Sequence, residues 1–92
     1  MELNDEIDSL NGLLRQYGER NWNVPKVFSK SGASDVIRMY GGMGSINDLY
    51  ICKINGHNIA SEKESEVNEK IHSLLSSIYN KCASYEKTVL HS

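Results

Sequence analysis

The feature that most constrains this chain is a run of apolar residues at helical spacing near its end. Val67, Ile71, Leu74, Leu75, Ile78, Cys82, Tyr85 and Val89 keep steps of three and four, the pattern of one buried stripe on an α-helix. The spacing predicts a single long helix over about residues 62–88, with Ser61 and Glu64 forming a capping box at its start. At ~1.5 Å per residue such a helix is ~40 Å long, about as long as a small domain is wide. The chain has 92 residues, enough for one domain, because neither half could bury a core alone. Residues 1–92 therefore form one small domain, and the length of this rod must pack on the first helix or on another protein.

Upstream, Leu3, Ile7, Leu10, Leu13, Leu14 and Tyr17 repeat the same spacing and predict a first helix over about residues 4–17. Asn4 is its expected N-cap and Gly18 its stop. Pro25 suits the first turn of a short second helix with Val27 and Phe28 facing inward, ending by Ser31-Gly32. Trp22 reads as a core anchor between these two helices. Ser34 is placed to cap a third helix carrying Val36, Ile37, Met39 and Tyr40.

Nine residues, Gly41-Gly42-Met43-Gly44-Ser45-Ile46-Asn47-Asp48-Leu49, then divide the chain. The glycines must end the third helix, and Gly41, Gly42, Gly44 and Asn47 are expected to build the loop itself. Ile46 to Ile54 is rich in β-branched and aromatic residues, with Leu49 and Ile51 on one face and Tyr50, Cys52 and Ile54 on the other. Asn55-Gly56 is the usual dipeptide of a type I′ turn, which would return His57 to Ala60 as a partner strand. The expected fold is mainly α with a small β-hairpin, an α+β chain in the order α-α-α-β-β-α with a long C-terminal helix.

Composition narrows the function classes. Twelve acidic and ten basic residues leave a net charge of −2, and no stretch clusters Lys and Arg as a phosphate backbone requires, so direct nucleic-acid binding is not expected. His57, His72 and His91 share no ligand spacing, and Cys52 and Cys82 form no Cys-x-x-Cys, so no metal is expected. The two cysteines could meet in space, while the composition reads more as a reduced, cytosolic chain with both buried. Acids occupy the positions where a secretory leader needs bases and an apolar run, and no run reaches a membrane span. The expected compartment is the cytoplasm.

The glycine stretch invites comparison with a phosphate cradle, and its context argues against one. Phosphate loops run from strand into helix, and Walker-type loops carry a Lys before the Ser; here helix precedes strand and no base follows until Lys53. No cofactor is expected. Asp48 and His57 could approach across the hairpin, but no Gly-x-Ser-x-Gly elbow or placed nucleophile accompanies them. The acids point elsewhere. Glu62, Glu66 and Glu69 fall at i, i+4 and i+7 on one face of the last helix. Two readings fit: a solvated face trimmed by a Glu66–Lys70 pair, or a patch that steers a cationic partner.

Residues 41–49, together with Gly18-Glu19-Arg20-Asn21-Trp22, resemble a group of small bacterial proteins whose signature is close to Gly-Gly-Met-Gly-Ser-x-Asn-Asp-Leu followed by a strand. The matching motifs take in 14 of the 92 residues. Such domains are often immunity proteins, and the resemblance implies the contact-dependent growth-inhibition type, which binds and blocks a toxin delivered by neighbouring cells. It transfers no catalytic residue and names no toxin. The leading expectation is an inhibitor, not an enzyme, that occludes a cationic toxin domain of nuclease type with Asp48, Glu62, Glu66 and Glu69. The alternatives are a different interaction module or a homodimer built on the long helix, and an enzyme or small-ligand binder using the glycine loop with Asp48 and His57.

Overall fold

The structure, a computed structural model, describes residues 2–41 and 44–91. Three α-helices carry the fold: α1 (Leu3–Gln16), α2 (Lys30–Ile37) and α3 (Glu64–His91). Single 3-10 turns stand at Ile46–Asp48, Lys53–Asn55 and Ser61–Lys63, and no strand occurs among the described residues. The α+β expectation is therefore overturned, and the architecture is all-α.

The long helix forms where its stripe predicts. Val67, Ile71, Leu75, Ile78 and Cys82 are buried, with Leu74 and Tyr85 packed alongside, and α3 packs against both α1 and α2. The side chain of Val89 lies outside the described residues. From α1 come Ile7, Leu10 and Leu14, and from α2 Ala33 and Val36, all inaccessible to solvent. Burying such side chains is worth ~1.5–3 kcal/mol each, so α3 is the spine on which both shorter helices gain their stability. Tyr40 adds a polar hook, donating its hydroxyl to the Leu75 carbonyl at 2.7 Å while its ring meets Tyr79 edge-on.

The first helix stops at Gly18 as expected, and the other termini depart from expectation. At the end of α1 the Glu19 amide reaches the Leu14 carbonyl and the Gly18 amide the Arg15 carbonyl, with Gly18 at φ +85°. This paired closure is a Schellman motif. The helix expected after Pro25 does not form; residues 22–28 run without regular structure, Val27 is buried, and Phe28 is 77% exposed instead of inward. Proline's fixed φ suits an extended chain as well as a first helical turn, and it biases the preceding Val24 away from helix. Ser29, not Ser34, caps α2, its hydroxyl accepting from the Gly32 amide. The capping box at Ser61 is absent too, because the Glu64 carboxylate accepts instead from the Lys53 amide at 3.3 Å.

The missing hairpin has a specific cause. Residues 49–52 are extended and bury Leu49, Ile51 and Cys52, as a strand would, but the backbone hydrogen bonds of Ile51 go to a helix side chain. Asn68 on α3 accepts from the Ile51 amide and donates to the Ile51 carbonyl, both at 2.8 Å, with a further bond to the Glu64 carbonyl. The same device holds residues 22–28 on α1. Asn11 pairs with both backbone groups of Val24, and Asn4 with both of Val27, at 2.8–3.0 Å. Seven helical residues span about 10.5 Å and three extended ones about 10 Å, so two asparagines two turns apart are in register with alternate anchor points of the extended chain. Asn4, expected as a cap, is one of these clamps.

Candidate functional site

Between the clamped segment 49–52 and α3, the chain makes a tight turn at residues 52–57. The Cys52 carbonyl accepts from the Asn55 and His57 amides, and the Asn55 side chain donates to the Tyr50 carbonyl at 3.1 Å. Within this turn only Gly56 adopts positive φ, +86°, and no non-glycine residue does so among the described residues. A type I′ turn needs both central residues there, so Asn55-Gly56 curls the chain into a 3-10 turn rather than launching a returning strand. Lys53 is tied to Glu64 at the start of α3. The result is a braced protrusion whose tip, Ile54, is 96% exposed, with Tyr50 45% exposed beside it.

His57 locks the base of this turn. Its Nδ1 accepts from the Cys52 amide at 3.1 Å, and its Nε2 lies 2.8 Å from Glu19 Oε1. An imidazole nitrogen that accepts from an amide carries no proton, so the ring is the neutral Nε2–H tautomer and donates to Glu19. Both ring nitrogens are engaged within the fold, which leaves His57 no free nitrogen to serve as a base toward Asp48. Glu19 Oε2 accepts from the Asn21 amide at 2.7 Å, and the Asn58 amide bonds the Tyr17 carbonyl. Together these contacts fasten the end of α1 to the turn.

The glycine loop closes on the same place. Gly41 and Gly44 take φ of +86° and +78°, conformations that cost little only without a Cβ; Gly42 lies outside the described residues. Asp48 Oδ2 accepts from the Gly44 amide at 2.7 Å and the Ser45 hydroxyl from the Asn47 amide at 3.3 Å. The side chains of Asp48 and Ser45 thus cinch the loop. A cavity of about 280 Å³ forms where the two stretches meet, lined among others by Glu19, Trp22, Asp48, Tyr50, Asn55 and His57. Trp22 packs against the core as expected and also walls this cavity.

All four acids of the expected set are exposed. Asp48 is exposed at the cavity mouth, and Glu62 and Glu66 are exposed beside Glu64, which holds the turn. Glu62 sits in the 3-10 turn before α3 rather than on the helix, and no Glu66–Lys70 ion pair occurs among the described residues. Glu69 follows Glu66 by one turn on the same face of α3 and lines a shallow groove with His72, Ser73 and Ser76. Asn47 faces a different groove of about 540 Å³ that includes Tyr40, His72 and Tyr79. Cys52 and Cys82 are both buried and are not joined by a disulfide. Among the described residues no group of three His, Cys, Asp or Glu could hold a metal ion, and no helix is long and apolar enough to cross a membrane.

Sequence reading missed the Glu19–His57 bond and the three asparagine clamps. The first joins residues 38 positions apart and leaves no local trace. The second has one: Asn68 directly follows Val67 of the apolar stripe, a polar residue at the edge of a buried face.

Residues 26–60 match a protein family described as a domain of unknown function, DUF6966. The match takes in α2, the glycine loop and the braced turn, and leaves α1 and α3 outside it. No curated protein and no solved structure matches the chain.

Proposed function

We propose that this chain is an immunity-type binding protein of the cytoplasm. It neutralises a cationic toxin domain of nuclease type by covering its substrate cleft with the surface around Ile54. The observation that carries this reading is the exposure of Ile54, 96%, at the tip of a turn held by backbone and side-chain hydrogen bonds. An apolar tip that is both exposed and pre-organised is disfavoured in an isolated protein and favoured as an anchor for a partner's pocket, because its ordering cost is already met. Tyr50 supplies an aromatic neighbour of the kind enriched at interface centres. Asp48, Glu62 and Glu66 surround the turn with negative charge, which complements a cleft that must attract phosphate. Glu69, one turn beyond Glu66 on the same face of α3, extends that charge along the helix.

The test begins with the DNA immediately upstream. The last domain of any large reading frame found there is expressed with and without this chain. The reading predicts growth arrest by that domain alone, recovery when the chain is co-expressed, and a stoichiometric complex on purification. A toxic domain that this chain neither binds nor neutralises would refute it.

A further inference from the structure

The base of the turn at residues 52–57 is held by a ring that cannot take a second proton and keep both of its bonds. Nδ1 of His57 accepts from the Cys52 amide at 3.1 Å, and Nε2 donates to Glu19 Oε1 at 2.8 Å. The His57 side chain is 8% exposed and that of Glu19 7%. A proton added at Nδ1 turns the acceptor into a donor, and a donor facing the Cys52 N–H repels it. On the other side of the ring the same proton strengthens the bond to Glu19, because a charge-assisted hydrogen bond is roughly twice as strong as a neutral one. The two bonds respond in opposite directions: the charged ring stays on Glu19, and the Cys52 amide lets go. Cys52 is buried, and an amide left without its acceptor there has to find water, which opens the turn between Cys52 and His57.

Titratable and charged groups reach this ring from each neighbouring segment. Glu19 bonds it from the stretch after α1, with Arg15 and Arg20 lining a hollow on the same glutamate. Asp48 of the glycine loop and the Tyr50 phenol line one cavity with Glu19 and His57. The turn itself carries the Cys52 thiol and Lys53, whose amide is bonded to Glu64 of α3. The carboxylates favour a charged ring, and the arginines and Lys53 oppose it. We infer that His57 makes the turn acid-sensitive: a second proton on the ring frees the Cys52 amide and loosens the turn that presents Ile54, while the ring remains on Glu19. This deepens the immunity reading, and rests on it only for the consequence that the partner meets a less ordered tip in acid.

The test needs no toxin. The ring-nitrogen and backbone amide resonances of the ¹⁵N-labelled chain are followed from about pH 8 to about pH 5. The expected result is a His57 ring in the Nε2–H form at the alkaline end, and an upfield move of the Cys52 amide proton with the same midpoint as the ring. His57→Asn keeps an oxygen where Nδ1 stands and takes up no proton, so the move is lost in that variant. Glu19→Gln removes the negative charge that holds the imidazolium, so the ring and the Cys52 amide shift their common midpoint to lower pH. Four results would each overturn the inference: a Cys52 amide that ignores the titration of the ring, an Nδ1–H ring at alkaline pH, a ring that stays neutral until the whole chain unfolds, or an unmoved midpoint in Glu19→Gln. The parent and Glu19→Gln decide the matter even where His57→Asn fails to fold. Such a failure leaves the immunity reading standing on the rescue assay, and a failed rescue leaves this titration interpretable by itself.

Discussion

Asparagine is a poor interior helix residue, because its amide competes for backbone groups. Here that competition is put to use. Asn4, Asn11 and Asn68 each present one donor and one acceptor to an extended segment, giving Val27, Val24 and Ile51 the two hydrogen bonds a neighbouring strand would have given. Asn68 is the most buried of the three, at 4% exposure. Asn68→Leu keeps the volume but leaves the Ile51 amide and carbonyl unpaired in the interior, a loss of about 2–4 kcal/mol. Urea unfolding measures the loss, and the Ile51 amide should exchange faster than its neighbours in the variant. A variant as stable as the parent would show that the clamp is dispensable. The clamp also explains what the sequence could reveal at this scale. The burial of Leu49 and Ile51 was legible from their types, whereas the partner of Ile51, seventeen residues on, left no periodic signal.

At the scale of elements, legibility followed the period. A 3.6-residue repeat is set by one helix alone, so α1 and α3 could be read from Ile7 to Leu14 and from Val67 to Cys82. Alternating β-branched residues report only that a segment is extended and buried; whether a sheet forms depends on a partner, and at Ile51 the partner is a helix. Asn55-Gly56 misled for a related reason, since the dipeptide permits a type I′ turn without requiring one, and only Gly56 takes the positive φ. The acids could be placed on exposed surface from sequence, but the place of Glu62 in a 3-10 turn ahead of the helix could not, because it depends on where Ser61–Lys63 gives way to α3.

The link between α1 and α3 is electrostatic as well as apolar. Glu6, 8% exposed on α1, accepts from the Ser77 hydroxyl at 2.8 and 2.9 Å and from the Lys81 ammonium at 2.8 Å. Burial pushes the Glu6 carboxyl upward, but the hydrogen bonds from Lys81 and Ser77 and the Lys81 charge outweigh it and hold the group below its ordinary value of 4.5. A carboxyl lowered by folding stabilises the native state fully above its unfolded value and loses that contribution as pH falls through the folded one. The stability of this chain should therefore drop below about pH 4.5 more steeply in the parent than in Glu6→Gln, which should also be about 1–2 kcal/mol less stable at neutral pH. Thermal unfolding of both across that acid range checks the sign; parallel curves would exclude Glu6 as a source of acid sensitivity.

For the whole molecule, the arrangement separates support from display. α3 runs as a spine with α1 and α2 packed on it, and the connections between α1, α2 and α3 gather around the Glu19–His57 bond. There the glycine loop, the Trp22 stretch and the turn at residues 52–57 meet around one cavity. Rigid helices below and braced loops above are what a pre-organised binding surface requires, since the fewer groups ordered on docking, the more of the contact energy remains as affinity. The proposed partner then meets an apolar tip, an aromatic neighbour and a rim of carboxylates in one place.

The measurement that bears most directly on this account is the dissociation constant of the complex with the upstream toxin domain, for the parent chain and for Ile54→Asp. Ile54 touches solvent over nearly its whole surface, so the substitution should leave the circular dichroism spectrum and the unfolding midpoint unchanged. The account predicts that binding weakens at least about thirtyfold, the loss of about 2 kcal/mol expected of an interface anchor. An Ile54→Asp variant that binds the toxin domain as tightly as the parent would contradict the claim that the turn is the docking surface.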